Sequence, residues 1–150
     1  MNTRLPAKSA RRRARELALQ GIYQWRLSGN LAEQIERQIA DEKNLGRYDA
    51  GFFAELLRGV LTHSEELTAI VAPHLDRPLN ELSPIECSVL LLAAYELSYL
   101  PEIRYRVVIN ESVELAKSYG GTDGHKYVNG VLDKLATKVR AVEVAAGNSR

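Results

Sequence analysis

Apolar positions recur at helical spacing along most of the chain, and no stretch alternates apolar and polar residues long enough to read as a strand. At about 100° per residue, Ala14, Leu17, Ala18, Gly21, Ile22 and Trp25 fall on one inward stripe. They predict a first helix that Ser9 can cap and that Ser28-Gly29-Asn30 stops. Its far side collects Arg12, Glu16, Leu19, Tyr23 and Arg26, with Arg15 beside them. Leu31, Gln34, Ile35, Gln38 and Ile39 mark a short second helix that fades at Asn44-Leu45-Gly46. Phe52, Phe53, Leu56, Leu57, Val60 and Leu61 mark a third. Thr62-His63-Ser64-Glu65 has the form of a capping box and opens a helix through Leu67, Ile70 and Val71, which Pro73 ends.

Residues 73–82 hold Pro73 and Pro78 with little periodicity, which makes this segment the expected joint between two halves. Ser83-Pro84-Ile85-Glu86 then combines an N-cap serine, a proline at the first helical position and a glutamate at the third, a complete helix start. The next run, from Val89 to Leu97, is apolar almost all round, as in a helix buried by neighbours on every side, and Pro101 ends it. Val108, Ile109, Val113 and Ala116 give an amphipathic helix closed by Gly120. Val128, Val131, Leu132, Leu135 and Val139 give the last one. The expected architecture is therefore all-α, about seven helices in one domain with subdomains near residues 8–75 and 80–140, and residues 141–150 form a disordered tail.

Composition narrows the function by exclusion. The 150 residues are 45% hydrophobic and 26% charged, enough to bury a core without staples. Cys87 is alone in an apolar run, so no disulfide or cysteine zinc site is available. His63, His74 and His125 lack metal-ligand spacing, and neither a phosphate loop nor a nucleophile motif occurs, so the reading is a non-enzyme with no metal and no cofactor. No run approaches the ~20 apolar residues of a membrane span, and no signal-peptide pattern follows the N-terminal charges, so a cytoplasmic protein without membrane contact is expected.

Charge changes the picture more. Residues 1–30 carry seven Lys or Arg (Arg4, Lys8, Arg11, Arg12, Arg13, Arg15, Arg26) against Glu16 alone, and the remaining 120 residues sum to five negative charges, so a net charge of +1 conceals a polarised chain. Tyr23 among these arginines offers a flat ring beside cations, which suits the bases and phosphates of single-stranded nucleic acid. The same residues also fit a solvated basic helix with a half-buried tyrosine. A second candidate lies at the last helix. There Asp123 can act as N-cap, the free N–H groups from Gly124 to Lys126 can face a phosphate, and Tyr127 lines up with Lys134 and Lys138. Tyr127 also fits a boundary residue that buries its ring and leaves its hydroxyl wet.

Arg11-Arg12-Arg13-Ala14-Arg15-Glu16-Leu17-Ala18-Leu19-Gln20-Gly21-Ile22-Tyr23-Gln24-Trp25, Tyr95-Glu96-Leu97, the block from Val108 to Gly120 and the block from His125 to Lys134 together resemble the NusB family of bacterial antitermination factors, over about residues 8–138. The resemblance implies two small helical bundles packed side by side. It also implies pairing with the ribosomal protein NusE, binding of boxA RNA in nascent ribosomal RNA transcripts, and action within a complex of RNA polymerase and other Nus factors that passes terminators. By motif position it implies that Arg11, Arg12, Arg13, Arg15 and Tyr23 lie along the RNA, that Asp123, Lys126 and Tyr127 form a second RNA contact, and that Glu86, together with Tyr23, faces NusE. Leu91 stands where many members carry a basic residue, and Tyr127 where Phe is common; the first favours burial and the second keeps the ring. The alternative reading is a helical protein-interaction adaptor without specific RNA binding.

Overall fold

A computed structural model describes residues 7–42 and 45–148. Eight α-helices follow in order among them: α1 (Ala7–Ser28), α2 (Ala32–Asp41), α3 (Ala50–Thr62), α4 (Ser64–Val71), α5 (Pro84–Tyr99), α6 (Tyr105–Tyr119), α7 (Gly124–Val139) and α8 (Ala141–Asn148). Single 3₁₀ turns stand at Ala72–His74 and Leu79–Glu81. No strand occurs among the described residues, so the all-α expectation holds with one helix more than the seven read from periodicity. None of the described helices is long and apolar enough to cross a membrane.

The chain divides into two compact units, Met1–Thr62 and His63–Arg150. The division falls one helix earlier than segment 73–82, because α4 packs on α5 and α7 and so belongs with the later helices. Thr62 closes α3 rather than capping α4. The residue before α4 is His63, which makes no side-chain cap.

In the first unit α1 packs along α3 and α2. Gly21 permits this, since a Cβ there would stand 2.9 Å from Leu57 Cδ1 and 3.1 Å from Ile35 Cγ2. Gly29, at φ 73°, turns the chain off the helix and donates its N–H to the Trp25 carbonyl at 2.8 Å. The helix begins at Ala7, so Ser9 lies inside it, and its side chain is outside the described residues. Burial extends beyond the inward stripe. Leu19 and Arg15, both expected on the outward side, are buried, whereas Trp25 is only half-buried. The side of α1 left to solvent is thus narrower than the wheel suggests and runs through Arg12, Gln20 and Leu27, with Glu16 and Tyr23 half-buried along it.

In the second unit the start signal of α5 is realised. Ser83 Oγ accepts the Glu86 N–H at 3.1 Å and donates to Glu86 Oε2 at 2.9 Å. Every residue from Cys87 to Leu97 is buried, including Leu91. Packed against α4, α6 and α7, α5 has no solvent face to fill with polar residues.

Residues 141–148, expected as a disordered tail, form α8; residues 149–150 lie outside the described residues. What holds α8 is polar rather than apolar. The buried guanidinium of Arg140 donates from Nε to the Leu97 carbonyl at 2.7 Å and from Nη2 to the Leu100 and Glu96 carbonyls at 3.0 and 3.3 Å. It also pairs through Nη1 with Glu143 Oε1 at 2.6 Å. Glu143 Oε2 in turn accepts the Tyr105 N–H at 2.8 Å, which caps α6. The Leu97 carbonyl, whose helical partner would be the N–H that Pro101 lacks, and the Tyr105 N–H are thereby satisfied by two side chains around the α7–α8 junction.

Candidate nucleic-acid interface

Arginines 11, 12, 13 and 15 share little more than one turn of α1, so Arg11, Arg12 and Arg13 point in different directions and Arg15 comes back to the side of Arg11. Arg11 is half exposed, its guanidinium carbon 4.2 Å from the Phe52 ring centroid and its Nε 4.0 Å from Asp49 Oδ2. Arg15, one turn on, lies 5.0 Å from the same centroid and is buried. Its outward placement is therefore corrected: a residue four positions from Arg11 returns to the same side of the helix, and the electron-rich face of Phe52 receives both cations there. Arg13 donates from Nε to the Leu45 carbonyl and from Nη1 to Glu16 Oε1, both at 2.9 Å. Arg12 is exposed, and Tyr23 lies half-buried along the same side of α1. Leu27 and Leu31, 65% and 67% exposed, continue the apolar surface beyond Tyr23. Periodicity marked Leu31 as helix-facing and passed over Leu27, because neither spacing nor polarity distinguishes an exposed leucine from a core one.

The second group assembles around the start of α7. Asp123 occupies the N-cap position without a side-chain cap, and Lys126 Nζ lies 3.5 Å from its Oδ1 with both side chains about three-quarters exposed. The Tyr127 hydroxyl is not left wet. It donates to Asp76 Oδ1 at 2.9 Å and accepts the Asp76 N–H at 3.3 Å. Arg77 holds the same carboxylate through two hydrogen bonds, at 2.9 and 3.1 Å, and its guanidinium carbon lies 5.6 Å from the Tyr127 ring centroid. The hydrogen bonds from Arg77 and Tyr127 hold the Asp76 carboxyl down at about 2, and burial pushes the Tyr127 phenol up. Asp76 and Arg77 were missed from sequence because they sit in the aperiodic segment between Pro73 and Pro78, where no pattern assigns a direction to a side chain.

Glu86 belongs to this neighbourhood as well. A Cβ at Gly124 would stand 3.1 Å from Glu86 Oε2, so a carboxylate already rests against the first residue of α7. The expected anion site at that helix start is therefore partly occupied by the protein's own acid. His74, behind Tyr127, is held below its ordinary value by burial and by the ammonium groups of Lys138 and Lys134. No group of three or more His, Cys, Asp or Glu placed to hold a metal ion occurs among the described residues.

Comparison with known proteins matches residues 12–137 to the model of the NusB family. The chain is 57% identical over 143 residues to the transcription antitermination protein NusB of Nitrosomonas eutropha, covering 95% of this chain and 86% of the relative. Among solved structures, T. maritima NusB superposes with a TM-score of 0.78 at 30% identity, covering 91% of this chain and 94% of its own. A crystal structure of the antitermination factors NusB and NusE in complex with dsRNA gives 0.75 at 30% identity, covering 83% and 93%.

Proposed function

Since the chain belongs to the NusB family, we infer that it is a transcription antitermination factor that pairs with NusE and binds RNA, acting by recognition and not by catalysis. The observation that carries this reading is the family match across nearly the whole chain, together with Arg77 set beside the Tyr127 ring and the exposed Arg12 on the side of α1 that carries Tyr23. The RNA is boxA of nascent ribosomal transcripts, read as a single strand in the cytoplasm, and the assembly includes RNA polymerase and the other Nus factors. Arg11, Arg12 and Arg13 supply phosphate contacts and Tyr23 a stacking ring. Arg15, buried over Phe52, supports this surface by fixing Phe52 beneath Arg11. Asp123, Lys126 and Tyr127 form the second RNA contact. Tyr23 and Glu86 face NusE, and Leu27 and Leu31 extend the apolar part of that contact.

Anisotropy titrations of labelled boxA RNA, a scrambled strand and a boxA duplex, each with and without NusE, test the reading. Preference for single-stranded boxA is expected with NusE present, and affinity should fall with salt at a slope of roughly −0.7 per phosphate contact. Equal affinity for boxA and the scrambled strand in both conditions would leave a protein-interaction adaptor instead. Preference for the duplex would overturn single-strand recognition alone.

A further inference from the structure

Gly130 stands in the interior of α7, where glycine costs about 1 kcal/mol relative to alanine. Neither of the usual reasons for that cost applies. Its φ is not positive, and nothing lies within 4 Å of where a Cβ would stand, in contrast to the crowded Gly21. What the absent side chain preserves is open space. Gly130 lines a groove of about 350 Å³ between the Ala72–His74 turn and α7, with His74, Asp76, Lys126, Tyr127 and Lys134 around it. That volume is near the lower end of ligand sites, about 300 to 1,000 Å³, and suits one nucleotide unit.

The charge of the groove points to an anion. Lys126, Lys134 and His74 line it, and Lys138 acts on His74 from one turn beyond. Asp76 is the one acid in the lining, and its two oxygens are already taken by Arg77 and by the Tyr127 hydroxyl. Lys126 is joined to Asp123 only across an exposed 3.5 Å contact, which solvent weakens.

We propose that this groove seats one phosphodiester of the bound RNA strand beside the Tyr127 ring, with Lys134 and Lys126 as its cations and Gly130 as its cleared floor. The seat rests on the RNA-binding reading and adds His74, Gly130 and Lys134 to it. Tyr127 fixes where the neighbouring base can stack, because its hydroxyl is anchored to Asp76.

Two variants and one free anion test the seat, with labelled boxA RNA and NusE present. Gly130→Gln fills the groove while improving helix propensity, so its melting temperature should equal or exceed that of the unaltered protein while its Kd for RNA rises about tenfold. Lys134→Ala, at an exposed position that folding does not need, should reduce the salt slope by roughly 0.7. Unchanged affinity and slope in both variants, while the unaltered protein still prefers boxA, would overturn the seat and leave the RNA reading intact. No boxA preference in the unaltered protein would overturn both. Inorganic phosphate is the control for a free-anion site: if it shifts the His74 ring resonances at micromolar concentration and RNA does not compete, the seat for RNA is also overturned.

Discussion

At the scale of single residues, the hydroxyl of Tyr127 has a role separate from its ring. The ring is what a base would stack on, while the hydroxyl ties α7 to Asp76 and leaves Arg77 over the aromatic face. Tyr127→Phe should therefore hold RNA affinity within about twofold, whereas Tyr127→Ala should cost ~1 to 3 kcal/mol of binding if a base stacks there. In the Phe variant the Asp76 carboxyl, at about 2 in the folded protein against an ordinary 3.8, should titrate higher, as followed by NMR of its side-chain carbon. Because the folded value is depressed, the stability that Asp76 contributes is present above pH 3.8 and is lost as pH falls toward 2. An Asp76 titration that does not move in Tyr127→Phe would sink the role given to the hydroxyl. None of this was visible in sequence. A wheel placed Tyr127 with Lys134 and Lys138, but the partners of its hydroxyl lie 51 residues earlier, in a segment without periodicity.

At the scale of elements, helices announced by a self-contained signal were legible and those held by distant groups were not. The start of α5 needs only Ser83, Pro84 and Glu86, and the structure builds it from those residues. The interior of α5 was equally legible, since an all-round apolar run has no other comfortable setting. By contrast α8 carries no apolar stripe, and Val142 is 86% exposed. It is anchored by Arg140 and Glu143 through contacts to α5 and α6 that chain order conceals. Arg15 shows the same limit inside a correctly read helix, because its burial depends on Phe52, an aromatic 37 residues away in sequence. Replacing Arg140 with Met keeps much of the volume but leaves the buried Leu97 carbonyl without its donor, removes the second donor of the Glu96 and Leu100 carbonyls, and leaves Glu143 without its cation. Urea unfolding should show a loss of about 3 kcal/mol. A loss below about 1 kcal/mol would mean that water replaces the guanidinium at little cost.

At the scale of the whole molecule, the polarised charge and the helical class followed from composition and pattern, while the division into units did not. Two prolines suggested a break at 73–82, yet packing assigns α4 to the second unit, because the contacts a helix makes are not written in the loop at its end. Native-state hydrogen exchange should reflect this arrangement, with amides from Cys87 to Leu97 the slowest in the second unit and those of α1 and α3 forming a distinct class. Exchange of α4 in step with α1 and α3 would contradict the division. The Arg140 clasp also has a consequence for the order of events during synthesis. The first unit can close once residue 62 has left the ribosome. The second has its buried centre at α5, whose Leu97 carbonyl finds its donor, Arg140, only after 43 further residues have been translated. Until Arg140 emerges, α5 is an all-apolar helix with an open end, and that interval is when a nascent chain of this protein is most exposed to aggregation and most in need of a chaperone.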